Sequence, residues 1–402
     1  MDICISPAAL GGSINAIPSK SAAHRLLICA ALADRETEIN CPVLSKDISA
    51  TADCLRAMGA DVRYQQGCFK VKPIKTPVEN PELDCGESGS TLRFLLPVIC
   101  AMGLGANIKM QGRLPERPLS PLWEELEKHG AKLTKPQSDV INVQGKLQAG
   151  DYNIRGDISS QFISGLLFAL PLLKAESKII MEGPVESVGY INMTRQAQEI
   201  FSLNCPLEGA VFHVSADAEY KSPVTAFVEG DWSNGAFWLV ADALSGKKIQ
   251  VSGLLENSLQ GDKAVVSIIE QIKAGDAVVD VKDIPDLVPV LSVLAAVSPG
   301  KTEFINAARL RIKESDRLKA TKEMLTALGG DCTETEDGLI INGAQKLRGG
   351  VVDSVNDHRI AMSAAVAAIA CKEPVTIKNA QAVEKSYPTF FEDYKMLGGV
   401  LL

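Results

Sequence analysis

Six runs along the chain are apolar on nearly every side of a helix, and each is followed by a short strand-like segment. A helix that is apolar all round is a buried helix. The pattern therefore predicts six buried helices, each with its following strand: 19–32 and 38–41, 88–102 and 107–111, 159–173 and 178–181, 233–244 and 248–251, 284–297 and 302–305, and 357–370 and 375–378.

A second kind of helix, amphipathic rather than wholly apolar, lies between these units and ends before glycine or asparagine, which favour the left-handed cap conformation. The predicted helices are 49–58, 121–129, 192–203, 263–273, 315–328 and 389–397, and the predicted cap residues are Gly59, Gly130, Asn204, Gly275, Gly329 and Gly398. Strand pairs are predicted at 61–64 with 69–72 and at 331–335 with 339–342.

Six copies at a spacing of roughly 50–75 residues indicate repeated βαβ-type units, each too long for a solenoid repeat. We expect an α/β (α+β) protein of two halves, three units in each, with a cleft between them. The passage from one half to the other is expected near 226–230. The alternative is a generic multi-domain α/β enzyme in which the repeats are coincidental.

Polar and cationic side chains collect at the predicted N-termini of the buried helices, where the helix dipole supplies about half a positive charge. Lys20 and Arg25 open the first helix, Arg93 the second and Arg359 the sixth. The stretch 309–317, with cations at four of nine positions, precedes another helix for which Ser315 or Asp316 is the expected N-cap. An anion among Lys313, Arg317 and the free N–H groups would explain these cations. The alternative is a solvated loop in which Glu314 and Asp316 neutralise the bases.

Composition narrows the class of ligand. The net charge of −8 argues against nucleic acid or an anionic membrane as a partner, so a positive field must be local. The ten cysteines form no C-x-x-C pair, and no metal, dinucleotide or hydrolase motif occurs, so neither a metal nor a cofactor is expected. No signal peptide or membrane-spanning run is recognised, and we expect a cytoplasmic location. The residues predict a site for a ligand with several negative charges, in an enzyme or in a non-catalytic polyanion-binding protein.

At these positions the chain resembles the enolpyruvyl transferases over essentially its whole length. The motifs that carry the resemblance are Pro18–Ser21 with Arg25, Gly86–Arg93, Glu116–Pro118, Ser159–Gln161, Ile284–Asp286, Arg311–Arg317, Asn356–Arg359 and Lys385. The resemblance implies a two-domain inside-out α/β barrel of six βαβαββ-type repeat units, three per domain, with the active site in the inter-domain cleft. The implied domains are 19–229, and 1–18 together with 230–402.

The resemblance also implies a reaction and its substrates. The enolpyruvyl group of phosphoenolpyruvate is transferred to the 5-hydroxyl of 3-phosphoshikimate with release of phosphate, by addition to a tetrahedral intermediate followed by elimination. It implies a monomer. Asp286 is placed as the base at the hydroxyl, and Lys20 and Glu314 are candidates for proton transfer at the methylene carbon, without separate assignment.

The same resemblance assigns the binding residues. The expected contacts of 3-phosphoshikimate are Lys20, Ser21, Arg25, Ser159, Ser160, Gln161, Ser187, Asp286 and Lys313, with Tyr190 packing on the ring. The expected contacts of phosphoenolpyruvate are Lys20, Gly89, Arg117, Gln161, Arg317, Arg359 and Lys385. Gly89 also implies sensitivity to glyphosate, because a larger residue there would crowd that phosphoenolpyruvate mimic.

Two relatives of the same fold remain alternatives. The sister enzyme that transfers enolpyruvyl to UDP-N-acetylglucosamine has Lys-Asn near its start and usually a reactive cysteine on a mobile loop. Here Ser21 follows Lys20, and the loop 111–120 contains no cysteine. The RNA phosphate cyclases require a nucleophilic histidine and ATP, and the acidic balance of the chain disfavours them.

Overall fold

Helices and short strands alternate throughout residues 1–343 and 346–402, which the computed structural model describes. The helices there are α1 (Lys20–Ala31), α2 (Lys46–Ala57), α3 (Gly89–Met102), α4 (Leu122–Lys128), α5 (Ser160–Ala169), α6 (Val188–Ile200), α7 (Trp232–Ser245), α8 (Val265–Lys273), α9 (Val288–Val297), α10 (Arg317–Ala327), α11 (His358–Ala367) and α12 (Phe390–Met396).

The strands are short, between two and seven residues each. In chain order they are β1 (Ile3–Ser6), β2 (Gly12–Asn15), β3 (Thr37–Asn40), β4 (Asp61–Gln65), β5 (Cys68–Lys72), β6 (Glu82–Asp84), β7 (Ala106–Lys109), β8 (Ala131–Gln137), β9 (Val140–Gly145), β10 (Asp151–Arg155), β11 (Ser177–Glu182), β12 (Leu207–Glu208), β13 (Val211–Val214), β14 (Thr225–Phe227), β15 (Ile249–Ser252), β16 (Ala277–Asp280), β17 (Lys301–Ile305), β18 (Asp331–Glu334), β19 (Leu339–Asn342), β20 (Gly350–Asp353), β21 (Val375–Lys378) and β22 (Val400–Leu401).

One sheet pattern recurs through the described residues: a parallel pair of strands, then two antiparallel neighbours. It occurs in the orders β14-β3-β5-β4, β6-β7-β9-β8, β10-β11-β13-β12, β16-β17-β19-β18 and β20-β21-β1-β22, and β15-β2 is a lone parallel pair. In four of these sheets a buried helix connects the two parallel strands, as α3 connects β6 to β7. The predicted repeat of buried helix and strand is thereby confirmed.

The chain divides into two compact units. Lys20–Val228 forms the N-terminal unit, while Met1–Ser19 and Glu229–Leu402 form the C-terminal unit. Strand pairing shows how the division arises. Strand β2 precedes α1 but pairs with β15, which follows α7; strand β14 precedes α7 but pairs with β3, which follows α1. The first and fourth copies of the repeat have therefore exchanged their leading strands.

The buried helices form the cores of the two units. In α9 every residue before Val297 is buried, and in α3 burial extends from Gly89 to Ala101 with few interruptions. Ser88, Ser159 and Asp316 each cap a helix by accepting a hydrogen bond from a backbone N–H of its first turn, at 3.2–3.3 Å. Asp316, not Ser315, is thus the N-cap of α10.

The glycine caps are confirmed, because all five predicted glycines have positive φ values, but the asparagine cap is wrong. Helix α6 begins at Val188, four residues before the predicted start, and the left-handed residue after it is Ser202 (φ +58°), not Asn204. Gly189 lies inside the first turn, and a glycine in a helical pattern resembles a break. Helix α2 likewise begins three residues early, because Ser45 caps it.

Among the helices described, none is long and apolar enough to cross a membrane. Within the same residues, no group of three or more His, Cys, Asp or Glu side chains is arranged to hold a metal ion. All ten cysteines are unpaired thiols.

Candidate active site

Arg25 is the buried cation at the centre of one cluster in the N-terminal unit. Its guanidinium donates to the carbonyl oxygens of Ser21 (2.6 Å) and Tyr190 (2.8 Å) and to Thr194 Oγ1 (2.8 Å). The Phe94 ring centre lies 4.9 Å from the guanidinium carbon. Burial lowers the pKa of Arg25 to about 10, so the side chain remains charged at neutral pH. A charge held this rigidly suits recognition of phosphate or carboxylate.

Other predicted residues of this unit lie at helix starts. Lys20 is the first residue of α1, and its Nζ is 2.7 Å from Oδ2 of Asp47. Ser187 is buried immediately before α6 with a left-handed backbone (φ +55°). Ser159 and Ser160 are buried at the start of α5. The geometry presents hydroxyls and an ammonium at positive helix ends, where anions bind well.

A second cluster surrounds Gly89, the first residue of α3. A Cβ added there would stand 2.7 Å from Arg117 Nη1 and 2.8 Å from Arg93 Nη1. Two guanidinium groups therefore approach the N-terminus of one helix closely enough to exclude a side chain. Positive charges gathered at a positive helix end favour the binding of an anion among them.

Gln161 holds this second cluster in place. Its Oε1 accepts from Arg93 Nη1 at 2.9 Å, and its Nε2 donates to Ser90 Oγ at 2.9 Å. Arg93 also donates to the Pro118 carbonyl oxygen at 3.0 Å. Helices α3 and α5 and the segment before α4 are thus joined by one amide and one guanidinium.

In the C-terminal unit, Asp286 lies in a 3₁₀ turn, Pro285–Leu287, and is surrounded by cations. Its carboxylate is 2.6 Å from Arg317 Nη1, 3.3 Å from Arg359 Nη2 and 3.5 Å from Lys313 Nζ. Burial opposes its ionisation, but Arg359, Lys313 and Arg317 outweigh burial and hold the pKa of Asp286 well below its ordinary value. Asp286 is therefore ionised and can accept a proton.

Arg317 joins three carboxylates although its side chain is only 1% exposed. Besides Asp286, it donates to Glu314 Oε2 (2.5 Å) and to Asp357 Oδ2 (2.8 Å). Ser315 Oγ donates to the same Asp357 oxygen at 2.9 Å. Burial alone would lower the pKa of Arg317, but the carboxylates hold it above its ordinary value. The ion-pair network fixes the position of every group in it.

The stretch before α10 shows the predicted neutralisation of its bases, but in a buried setting, and the anion among them stays a prediction. Glu314 does pair with Arg317, and Asp316 pairs with Arg311 at 3.0 Å, as the neutralised-loop alternative predicts. Arg317 is nevertheless buried rather than solvated. The base-rich stretch is held in a defined conformation, because its charges pair with carboxylates from elsewhere in the fold.

Lys313 and Lys385 are the two predicted binding lysines of the C-terminal unit. Burial is the main cause that lowers the pKa of Lys313 to about 8; Asp286 acts in the opposite direction. Lys385, at the end of a 3₁₀ segment, donates to the Asn356 carbonyl oxygen at 2.6 Å and is 7% exposed. Asn356 itself has a left-handed backbone (φ +58°) just ahead of α11.

Several residues around the predicted contacts were not themselves predicted to contact a substrate or to act in catalysis. Arg93 and Asp357 lay inside the quoted motifs, and their position at a helix start was the available signal. Asp47 and Asp262 had no comparable signal. Asp262 is buried, and burial followed by the charge of Asp286 raises its pKa to about 6.

The chain matches one family of known proteins over nearly its full length. Residues 5–394 match the family model described as EPSP synthase (3-phosphoshikimate 1-carboxyvinyltransferase). A 3-phosphoshikimate 1-carboxyvinyltransferase of Clostridium novyi is 40% identical over 100% of this chain and 98% of its own length. One of Clostridium kluyveri is 42% identical over 99% of this chain and 97% of its own. These names do not favour the UDP-sugar alternative.

Solved structures give the same result for the fold. The structure of EPSP synthase from Acinetobacter baumannii superposes with a TM-score of 0.82 at 25% identity, covering 100% of this chain and 99% of the other. The chain mixes helices and strands, and its βα repeats are divided between two compact units. Both features agree with the predicted inside-out α/β fold.

Proposed function

Because this chain belongs to the EPSP synthase family, we propose that the residues of the two clusters and of the Arg317 network carry out its transferase reaction. The reaction is the shikimate-pathway step that moves the 1-carboxyvinyl group of phosphoenolpyruvate to 3-phosphoshikimate. The observation that carries the proposal is the ionised Asp286 held within 3.5 Å of Lys313, Arg317 and Arg359. It combines a proton acceptor with cations for anionic substrates.

3-Phosphoshikimate is proposed to bind chiefly to the N-terminal unit. Arg25 supplies a fixed guanidinium and Lys20 an ammonium at the start of the same helix, which suits a phosphate and a carboxylate. Tyr190 packs beside Arg25, with 6.0 Å between ring centre and guanidinium carbon, and offers an apolar face to the ring of the substrate. The full proposed set is Lys20, Ser21, Arg25, Ser159, Ser160, Gln161, Ser187, Asp286 and Lys313.

Phosphoenolpyruvate is proposed to bind where backbone N–H groups and guanidinium groups converge. Gly89 permits an anion to approach the start of α3 because it carries no Cβ. Arginine suits both the phosphate and the carboxylate of this substrate through two-pronged hydrogen bonds. The full proposed set is Lys20, Gly89, Arg117, Gln161, Arg317, Arg359 and Lys385.

Asp286 is proposed as the general base that takes the proton of the 5-hydroxyl as its oxygen bonds to C2 of phosphoenolpyruvate. In the free protein the surrounding cations make this carboxylate a weak base. Substrate phosphates and carboxylates that pair with Arg317, Arg359 and Lys313 offset that field. Binding of both substrates thus raises the basicity of Asp286 at the moment when the proton must move.

Lys20 and Glu314 are proposed to move the proton at C3. In the addition, C3 gains a proton; in the elimination, C3 loses a proton while the bond from C2 to the phosphate oxygen breaks. Each group is held by an opposite charge, Lys20 by Asp47 at 2.7 Å and Glu314 by Arg317 at 2.5 Å. Such pairing supports precise placement, which proton transfer requires.

The experiment that tests the function is phosphate release from phosphoenolpyruvate by the purified protein with either of two acceptors. Release with 3-phosphoshikimate alone is expected. Release with UDP-N-acetylglucosamine alone would overturn the acceptor, and binding of 3-phosphoshikimate without release would favour the non-catalytic polyanion-binding protein. We also propose that the enzyme is cytoplasmic and monomeric. Light scattering after size-exclusion chromatography can test the monomer by measuring the mass of the protein in solution.

Replacing Gly89 with alanine is expected to raise KM for phosphoenolpyruvate roughly 5- to 150-fold, the cost of about 1–3 kcal/mol of overpacking. The new methyl group would displace the guanidinium ends of Arg117 and Arg93, which are 2.7 and 2.8 Å away. Inhibition by glyphosate should weaken in parallel, while KM for 3-phosphoshikimate changes little. Gly209→Ala is the control: its φ of +60° strains an alanine and costs some stability, but nothing lies within 4 Å of the new methyl group, so both KM values should stay unchanged. An unchanged KM for phosphoenolpyruvate in Gly89→Ala would contradict the assignment.

The pKa of Lys313 predicts an alkaline limit to substrate capture. With phosphoenolpyruvate saturating, kcat/KM for 3-phosphoshikimate should be level near pH 7 and fall above about pH 8, where Lys313 loses its proton. Lys313→Arg keeps the cation and should move the fall upward by at least about one pH unit. If the profile of Lys313→Arg matches that of the wild type, another group causes the fall.

A further inference from the structure

Four buried side chains in the N-terminal unit form one continuous chain of hydrogen bonds. His24 Nδ1 is 2.7 Å from Thr51 Oγ1, Thr51 Oγ1 is 2.6 Å from Thr91 Oγ1, and Thr91 Oγ1 is 2.8 Å from Ser88 Oγ. None of the four is more than 1% exposed. This series of hydrogen bonds links three helices, from α1 through α2 to the first turn and N-cap of α3.

The direction of these bonds follows from counting protons, since a hydroxyl has only one to donate. Thr91 donates its proton to Ser88, which also accepts the Thr91 backbone N–H at 3.2 Å. Thr91 must therefore accept from Thr51. Thr51 has then used its own proton and must accept from His24. His24 is accordingly the tautomer with its proton on Nδ1.

The other ring nitrogen supports the same state. Nε2 of His24 is buried and has no hydrogen-bond partner within residues 1–343 and 346–402. A proton on both nitrogens would place an unpaired charged donor in the core. Burial, and then the charges of Lys20 and Arg25, hold the pKa of His24 well below its ordinary value, so the ring is neutral.

The ends of this hydrogen-bonded chain lie next to the two clusters of the proposed site. His24 precedes Arg25 and lies four residues after Lys20, while Ser88 and Thr91 flank Gly89 and Ser90. An apolar core of valines could fill the same volume without buried polar groups, which cost free energy unless fully paired. Hydroxyl groups and an imidazole add directional hydrogen bonds, which fix the orientation of the helices relative to one another.

We propose that His24, as the neutral Nδ1–H tautomer, is a positioning residue that sets the start of α3 against α1 and so aligns the phosphoenolpyruvate contacts at Gly89 with Lys20. The proposal rests on the proposed function, because it takes from it the role of Gly89. It differs from a simple packing role in one respect: only a donor at the Nδ1 position can begin the chain.

Paired substitutions at His24 distinguish the positioning role from a simple packing role. Asparagine carries an amide nitrogen one bond beyond Cγ, as Nδ1 is in histidine, whereas the amide nitrogen of glutamine is one bond further out. His24→Gln should lower kcat/KM for phosphoenolpyruvate about tenfold, mainly through KM, and His24→Asn should stay within about threefold of the wild type. KM for 3-phosphoshikimate should change less than threefold in both. His213→Asn, at a partly exposed histidine, is the control.

Thr51→Val and Thr51→Ser keep the test decisive if the histidine variants fold poorly. Thr51→Val preserves shape but breaks the chain and should behave like His24→Gln, whereas Thr51→Ser preserves the hydroxyl and should behave like the wild type. Equal phosphoenolpyruvate kinetics in Thr51→Val and wild type, or equal losses in His24→Asn and His24→Gln, would overturn the positioning role.

The tautomer can be measured without any substrate. In protein labelled with ¹⁵N-histidine, long-range ¹H–¹⁵N correlation should show Nδ1 of His24 protonated and Nε2 bare, with the resonances assigned by their loss in His24→Asn. The chain has four histidines, so the assignment is tractable. A protonated Nε2 would overturn the inference even in an active enzyme. Absence of turnover in the wild type, with the expected tautomer present, would instead reject the proposed function.

Discussion

Asp286→Asn is expected to lower kcat by about 10²–10⁴, the range that a positioned general base contributes. Asparagine has nearly the shape of aspartate and can still accept hydrogen bonds, but its amide oxygen is too weak a base to take the hydroxyl proton. The expected loss belongs to kcat. Measurement of phosphate release at saturating concentrations of both substrates tests it directly.

The effect on substrate binding should be small or favourable, which makes the prediction specific. In the free protein the Asp286 carboxylate pairs with Lys313, Arg317 and Arg359 and so competes with anionic substrates for these cations. Neutralising it frees part of their charge. We therefore expect KM for both substrates to stay the same or fall in Asp286→Asn.

A matched control is available nearby. Asp280→Asn neutralises a carboxylate that is 40% exposed and 3.5 Å from Lys282 Nζ, and the asparagine oxygen can still accept the Lys282 backbone N–H as the carboxylate does at 3.1 Å. Its kcat should equal that of the wild type. If Asp286→Asn keeps more than about a tenth of the wild-type kcat, Asp286 serves to order the cations rather than to accept the proton, and the base must be sought elsewhere.

Asp357→Ala is expected to lower the free energy of unfolding of the C-terminal unit by about 3–5 kcal/mol, the cost of removing one partner from a buried ion pair. Asp357 is fully buried and accepts from Arg317 Nε at 2.8 Å, from Ser315 Oγ at 2.9 Å and from the Arg359 backbone N–H at 2.9 Å. Alanine leaves the buried guanidinium with less compensating charge and removes the N-cap of α11.

Urea unfolding followed by tryptophan fluorescence can measure the change, because Trp232 and Trp238 lie in the C-terminal unit and Trp238 is fully buried there. Glu270→Ala is the control, since it breaks an exposed ion pair with Lys273 and should change stability by less than about 0.5 kcal/mol. A loss below about 1 kcal/mol in Asp357→Ala would show that the network adds little to stability.

The same prediction has a pH signature. Burial works against ionisation of Asp357, but Arg317 outweighs burial and holds its pKa below the ordinary value. A carboxyl group with a depressed pKa in the folded state contributes stability above its unfolded pKa, about 4, and that contribution disappears as pH falls through the folded value. The difference between wild type and Asp357→Ala should thus be full at pH 7 and shrink below about pH 4.

The fold followed from local pattern to a large extent. Buried helices such as α3 and α9 were predictable because nothing but a core can accept a helix that is apolar on all sides. The glycine caps were predictable because positive φ strongly favours glycine. Helix α6 was misplaced because Gly189, inside its first turn, carries the same local signal as a boundary. No local pattern distinguishes the two cases.

The sequence supplied the candidate residues of the site but not their pairings. Clusters at helix starts and a family resemblance identified Lys20, Asp286 and Arg317. The partners of these residues depend on which elements the fold brings together: Asp286 lies 31 residues from Arg317, and Asp47 lies 27 residues from Lys20. Side-chain pairing over such separations depends on tertiary packing, and the hydrophobic periodicity of the sequence does not predict it.

The pairing of the first strand, β1, with strands near the other end of the chain has a consequence for the order in which the protein can be made. The N-terminal unit is one continuous segment, so all of its strands and helices have left the ribosome once Val228 has done so. The C-terminal unit must wait, because Ile3 in β1 lies opposite Ile377 in β21, and Ile5 lies opposite Leu401 in β22. At roughly 5–20 residues per second, β1 remains without its sheet partners for about 20–80 seconds of synthesis. Among the described strands β1 waits longest for its partners, and its unpaired edges are where the nascent chain is most vulnerable to wrong partners.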